Sequence, residues 1–353
     1  MKSTQFLNVK STVPLIPPRK LREELPMTET AYATVVNGRE TIQRILTGDD
    51  SRLLVVVGPC SIHDEEAAMD YAGRLARVAR DVEDQMAIVM RVYFEKPRTV
   101  LGWKGLISDP ALDGSMDIEG GLRKARRIFL NISDMGLCAG TEVLDPITPP
   151  FISDLIAWAA LGARTTESQT HRQMASGLSM PIGYKNGTDG DVQIAIDAME
   201  AARHPHSFIG IDLDGQTCVL STTGNTFGHM ILRGGRPGPN YDKGSVAAAA
   251  GRMAAAGVNG RIVIDCSHDN SFKDYRNQER VWDNVIEQVC AGSPVLAGLM
   301  LESNIREGKQ KLGDDPAKLE YGVSITDGCI GWEDTERMIR GAHAALASIR
   351  TGV

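Results

Sequence analysis

The sequence predicts a single (β/α)8 barrel, a TIM barrel, and three observations predict it. From residue 53 onward, eight short apolar runs alternate with amphipathic helical stretches. Most of the runs are nearly continuous in apolar residues, as strands buried on both faces of a parallel sheet must be. Nearly every run ends on or close to a chemically active side chain: Cys60, Arg91, Glu142, Arg164, Lys185, Arg233, His268 and Glu302. A doubly wound open sheet would string those residues along a line. A closed barrel converges them on one mouth, where barrel enzymes keep their chemistry.

The elements follow in order. Residues 1–50 are polar, with Pro17-Pro18 ahead of a charged stretch from Arg19 to Glu24, and read as an extension before a barrel over 51–353. The runs are Leu53–Cys60, Ala87–Phe94, Leu137–Val143, Ala160–Arg164, Met180–Lys185, His229–Arg233, Ile262–His268 and Val295–Glu302. Between the first two, Ala67, Ala68, Tyr71, Leu75, Val78, Ala79 and Val82 form an apolar stripe at helical spacing. Asp64 to Glu66 put acid at that helix's start, where the helix dipole favours it. Further helices are expected over 121–135, 150–159, 191–203, 244–256, 278–291 and 332–350, with a shorter one over 168–177. One interruption breaks the alternation: Phe208–Leu213 and Gln216–Ser221 flank Asp214-Gly215. A two-residue Asp-Gly between β-like runs signals a hairpin, so an insertion over about 208–221 is expected before the sixth strand.

Composition narrows the class. Apolar residues make up 42% and charged residues 24%, the balance of a packed protein rather than a disordered one. A net charge of −7 argues against nucleic acid as a partner, so anionic ligands require a local basic cluster. The six cysteines include no Cys-x-x-Cys pair and suit a reducing compartment. Met1 to Asn8 lacks the apolar core of a secretory signal, and no apolar run approaches a membrane span. The expectation is a cytoplasmic protein without membrane association.

Two groups of strand-end residues carry chemistry. Cys60, His268 and Glu302 end runs one, seven and eight, which become neighbours once a barrel closes, and Asp327 follows run eight. A thiolate, an imidazole and two carboxylates suit one borderline divalent ion (Mn, Fe, Co or Zn) better than Ca or Mg. Each of these residues alone has a plainer reading, such as a packing Cys or a turn-capping Asp. Cys266, two residues before His268, is read as packing one layer deeper on the same face. The second group is cationic: Arg91, Lys96, Arg98, Arg164, Lys185 and Arg233. Arg and Lys are seldom buried unpaired, and at a barrel mouth they match phosphate and carboxylate groups. Six of them suggest two anionic substrates, or one carrying several anionic groups. The competing reading is salt bridging to Glu95, Glu142 and Glu167. Turns at Asn186–Gly190 and Gly234-Gly235 would let backbone N–H groups approach an anion. His171 is a catalytic candidate for which capping or packing is the better reading.

The strings Gly58-Pro59-Cys60-Ser61-Ile62-His63, Phe94-Glu95-Lys96-Pro97-Arg98-Thr99, Gly162-Ala163-Arg164-Thr165-Thr166-Glu167-Ser168, Lys185-Asn186-Gly187-Thr188-Asp189-Gly190, Leu232-Arg233-Gly234-Gly235 and Ser324-Ile325-Thr326-Asp327 together resemble one family. It is the class I 3-deoxy-D-arabino-heptulosonate 7-phosphate (DAHP) synthases, of the feedback-regulated bacterial and fungal type. The resemblance runs from about residue 15 to the C-terminus. It implies condensation of phosphoenolpyruvate with erythrose 4-phosphate, the first step of the shikimate pathway. It implies metal ligation by Cys60, His268, Glu302 and Asp327, and a phosphoenolpyruvate site of Arg91, Lys96, Arg164, Lys185 and Arg233. Arg98 and Thr99 would hold the aldose phosphate. Lys96 is the candidate acid and Glu142 the candidate to orient water. Decorations outside the barrel imply a homodimer or homotetramer and an inhibitor pocket for an aromatic amino acid, with tyrosine favoured. Two positions depart from the family: Val100 stands where many members have Thr, and Asp269 where the family usually has Gly.

The alternatives are another barrel metalloenzyme, such as a hydrolase, and a catalytically silent sensor of phosphorylated sugars. Only seven His occur, and just one of them, His268, ends an apolar run, which weighs against the first. Retention of every metal ligand and of Lys96 weighs against the second.

Overall fold

Side chains alternate along each strand, and this divides the core in two. Leu53, Val55 and Val57 belong to the layer between strands and helices, whereas Leu54 and Val56 join Val89, Trp158, Ile231 and Val263 in an inner cluster. The computed structural model describes residues 4–98, 101–313 and 315–350. Among these, eight parallel strands close a barrel: β1 (Leu53–Gly58), β2 (Met86–Arg91), β3 (Cys138–Glu142), β4 (Trp158–Leu161), β5 (Ile182–Lys185), β8 (Gly228–Leu232), β9 (Ile262–Asp265) and β10 (Leu296–Glu302). Their order around the barrel is β1-β10-β9-β8-β5-β4-β3-β2. Thus β1 pairs with both β2 and β10, and the first and last strand ends lie side by side.

The outer helices are α3 (Glu65–Asp81), α4 (Ile118–Asp134), α5 (Pro149–Ile152), α6 (Gln169–Ala175), α7 (Gln193–Ala202), α8 (Lys243–Ala255), α9 (Gln278–Cys290) and α10 (Trp332–Arg350). Side-chain caps set several of their starts, with Asp64, Asp117, Ser168 and Asp242 each accepting from a first-turn backbone N–H. The helix expected over 150–159 is much shorter. Ala157 to Leu161, rich in the helix former Ala, is fully buried, and pairing with β3 and β5 makes Trp158–Leu161 a strand instead. Tertiary burial overrides local propensity there.

The hairpin is present as β6 (Ser207–Ile211) and β7 (Thr217–Ser221), in a separate antiparallel sheet. Its loop is longer than the expected Asp-Gly pair. Gly215 N–H donates to the Asp212 carbonyl (3.1 Å), Asp212 N–H donates to the Gln216 carbonyl (3.0 Å), and Gly215 takes φ +74°. That is a type I turn followed by a left-handed residue, which needs Gly at its last position.

Residues 18–47 hold two helices, α1 (Pro18–Glu24) and α2 (Glu29–Thr47). Ile42, Ile45 and Leu46 of α2 join the inner cluster with Leu54, Trp158, Val263 and Ala297. This helix therefore seals the N-terminal end of the barrel, opposite the strand ends that carry the chemistry.

Candidate active site

At the end of β1, Gly58 has φ +150°, and a Cβ there would meet the Arg91 backbone at 3.1 Å. The chain then turns through Pro59 and sets Cys60 over the mouth. Ligand atoms of Cys60, Glu302 and Asp327 lie within 4.8 Å of one another. Asp327 Oδ2 accepts from Cys60 Sγ at 3.5 Å, and Lys96 Nζ lies 3.0 Å from that sulfur and 2.5 Å from the Cys60 carbonyl oxygen. Burial and then Glu302 push the Cys60 thiol up to about 11. Burial also opposes the charge of Asp327, but Lys96 and His268 hold its pKa below the usual carboxylate value. Two carboxylates and a thiol packed together repel as anions, and a divalent cation relieves that repulsion while displacing the thiol proton. The donor set thus fits a metal ion.

His268 stands outside that group of three. Its backbone is left-handed (φ +56°), and its Nδ1 meets Asp265 Oδ2 at 2.9 Å and Ser267 Oγ at 2.6 Å. A carboxylate on one ring nitrogen fixes the tautomer that presents the other, here Nε2, as a ligand. Sequence reasoning missed Asp265. Its signal was a charged residue closing the otherwise apolar Ile262-Val263-Ile264. Cys266, expected on the His268 face, joins the outer layer, so Asp265 and not Cys266 holds the inner position.

Three of the six cations find anionic partners, though not those of the competing reading. Arg91 is buried and bonds Glu302 Oε1 (3.2 Å), and Lys185 bonds the buried Asp265 (2.8 Å). Arg233 pairs with Asp269. Burial raises the Asp265 pKa, yet Lys185 and His268 hold it well below the ordinary value. Arg91 also lies 4.0 Å from the Tyr93 ring centroid, and its Nη1 has no partner among the described residues. Arg164 Nη1 donates to the Pro97 carbonyl (3.0 Å), and Arg98 Nε to the Trp103 carbonyl (3.0 Å). Thr99 and Val100 lie outside the described residues.

Lys96, Arg98, Glu142, Arg164, Lys185, Arg233, His268 and Asp327 line a cavity of about 130 Å³. A second cavity of about 490 Å³ shares Arg164, Arg233, His268 and Asp327 and adds Glu302, Arg236, Asp269, Lys273 and Lys309. Four of the expected residues, Arg91, Glu142, Lys185 and Glu302, are last residues of strands. Cys60, Arg164 and Arg233 sit in the loops just beyond, and His268 opens the short 3-10 helix His268–Ser271. His171 is structural: its two ring nitrogens engage Ser168 Oγ (2.8 Å) and the Leu144 carbonyl (2.7 Å).

Glu95, beside Lys96, supplies a pH prediction. Burial, then Asp145, pushes its carboxyl up to about 8 from an ordinary 4.5. Between those values the folded chain holds a proton that the unfolded chain releases, so this group destabilises the fold increasingly as pH rises through the window. Glu95→Gln should leave Tm unchanged near pH 4.5 and raise it by several degrees near pH 8.5. Equal shifts at both pH values in thermal melts would refute this.

The barrel and its mouth define a class: a metal-assisted barrel enzyme acting on anionic, phosphorylated substrates. The comparisons narrow it. The DAHP synthetase I family matches residues 26–340. A Tyr-sensitive phospho-2-dehydro-3-deoxyheptonate aldolase of Escherichia coli K12 is 51% identical over 94% of this chain and 93% of its own. The Phe-sensitive enzyme of the same strain is 50% identical over 98% of both chains. A solved aldolase of this name from Francisella tularensis superposes with TM-score 0.94 at 45% identity, covering 96% of this chain and 99% of that one. The chain belongs to the DAHP synthetase I family.

Proposed function

We propose that this protein condenses phosphoenolpyruvate with erythrose 4-phosphate to give DAHP and inorganic phosphate. The observation that carries this reading is the convergence of metal-type donors and cations on one cavity. The metal ligands are Cys60, His268, Glu302 and Asp327, for Mn, Fe, Co or Zn. Such an ion, when bound, supplies a Lewis acid to the aldehyde oxygen. Arg91, Lys96, Arg164, Lys185 and Arg233 hold phosphoenolpyruvate, and Arg98 with Thr99 holds the aldose phosphate. Held in this way, C3 of phosphoenolpyruvate attacks the aldehyde carbon, and Lys96 gives its proton to the new alkoxide. Glu142 orients the water that adds at C2, after which phosphate leaves by C–O cleavage.

The reading extends to control. A pocket of about 690 Å³ lies between Pro149, Pro150 and Leu178 on one side and Phe208, Ile211 and Leu220 of the hairpin on the other. An aromatic amino acid, tyrosine by preference, fits its apolar walls. Exposed Ile209 (79%) and Val219 (71%) on the hairpin, with Phe6 and Val13 also exposed, offer a surface for a homodimer or homotetramer. Light scattering that found a monomer would remove that assembly. No helix among the described residues is long and apolar enough to cross a membrane, and the cytoplasm is the proposed location.

Chelator-stripped protein should consume phosphoenolpyruvate only when both erythrose 4-phosphate and Mn are restored, and tyrosine should slow it more than phenylalanine or tryptophan. Consumption without the aldose phosphate, or none with any divalent ion, would overturn the reading.

A further inference from the structure

Asp269 lies where an anion is unwelcome. It borders the larger cavity, beside Arg233, Arg164, Arg236 and Lys273, where the proposed function places anionic substrate. Its two oxygens are divided: Oδ2 pairs with Arg233 Nη1, and Oδ1 sits 3.4 Å from Lys273 Nζ. Arg233 is only 5% exposed, so the pair forms in a setting that screens charge weakly. The arrangement is held from both sides. Arg233 N–H donates to Asn186 Oδ1 (2.9 Å), and Asn270 Nδ2, on the next residue after Asp269, donates to the Leu232 and Asp265 carbonyls (3.1 and 2.9 Å). Gly234 (φ +73°) lets the two loops meet, since a Cβ there would lie 2.7 Å from the Asp269–Asn270 backbone.

We propose that Asp269 is a positioning residue that acts through Arg233. Its carboxylate serves as an internal anion that occupies Arg233 when the site is empty and weakens the site's hold on phosphate-bearing ligands. An arriving phosphate or carboxylate must share Arg233 with Asp269 or displace it, and in either case meets a like charge close by. Substrate therefore binds less tightly than the five cations alone would hold it. The same competition speeds release of product phosphate, because a partner for the vacated guanidinium is already in place. This rests on the proposed placement of phosphoenolpyruvate at Arg233.

The test is calorimetric titration of the full-length Mn-loaded protein with phosphoenolpyruvate and, separately, with inorganic phosphate. Asp269→Asn removes the charge and keeps the shape, while Asp269→Glu keeps the charge. Asp269→Asn should bind both anions about tenfold more tightly, a change of about 1.4 kcal/mol. Asp269→Glu should stay near the parent affinity. In turnover, the Asn variant should show a lower KM for phosphoenolpyruvate and stronger inhibition by phosphate, with the KM for erythrose 4-phosphate unmoved. Unchanged or weaker anion binding by a folded Asn variant would overturn the inference. Tighter phosphate binding without any phosphoenolpyruvate binding would keep Asp269's role and reject the substrate assignment. Failure of the parent protein to bind either anion would reject both.

Discussion

Lys96→Met should slow turnover by about a thousandfold, within the range general acids contribute, while bound metal stays near the parent level. Lys96 is placed for two jobs. Its ammonium lies 3.0 Å from the Cys60 sulfur and 2.5 Å from the Cys60 carbonyl oxygen, and it also lines the smaller cavity. Burial disfavours its charge, but Cys60 and Glu302 raise its pKa above the ordinary lysine value. In the metal-free protein it therefore carries its proton. Met keeps the length and much of the packing of the side chain and removes the proton. Elemental analysis beside kcat separates the roles. Slow turnover with full metal marks the proton donor. Activity within tenfold of the parent, or activity lost in step with metal, would show that Lys96 only supports the ligands.

Arg91→Met should lower the Tm of the metal-free protein by roughly 5 °C, the product of about 3–5 kcal/mol for an orphaned buried charge and about 1.3 °C per kcal/mol for a chain of this length. The guanidinium is 1% exposed and its partner Glu302 4%. With Arg91 gone, the Glu302 carboxylate stays buried beside Cys60 and Asp327, with a cation fewer. Saturating Mn should restore part of the lost Tm, because the ion answers the same negative charge. Arg91→Met/Glu302→Gln should recover more Tm than Arg91→Met alone, in the absence of metal. A single variant within two or three degrees of the parent, measured by calorimetry with chelator present, would mean that solvent reaches this pair.

The sequence made the mouth of the barrel more legible than its walls. Cys60, Arg91, Lys185 and Glu302 announce themselves because charge or sulfur at the end of an apolar run has few structural explanations. Asp265 escaped because a single carboxylate closing a strand looks like a boundary, and its meaning depends on Lys185 and His268 meeting it from other segments. The same limit hid the pairing of Arg233 with Asp269, since only folding brings the turn after β8 against the loop after β9. Helix α2 escaped for a different reason. Its sequence is mostly polar, and only Ile42, Ile45 and Leu46 show that its last turns are buried. Strand β4 was displaced because an Ala-rich run carries no β-branched signal, and only burial on both faces makes it a strand.

The seal at the bottom of the barrel constrains how the chain is made. Helix α2 leaves the ribosome before any strand, yet Ile42, Ile45 and Leu46 share a cluster with Val263, Ala297 and Met300, about 250 residues later. At roughly 5–20 residues per second, that interval lasts on the order of 10–50 s. Throughout it the helix's apolar end has no final seat, and contacts this distant in sequence form slowly even in a complete chain. Newly made protein therefore passes through a stage in which a nearly finished barrel stands open at one end with its stopper exposed. That stage is where a chaperone or a protease would meet the nascent chain.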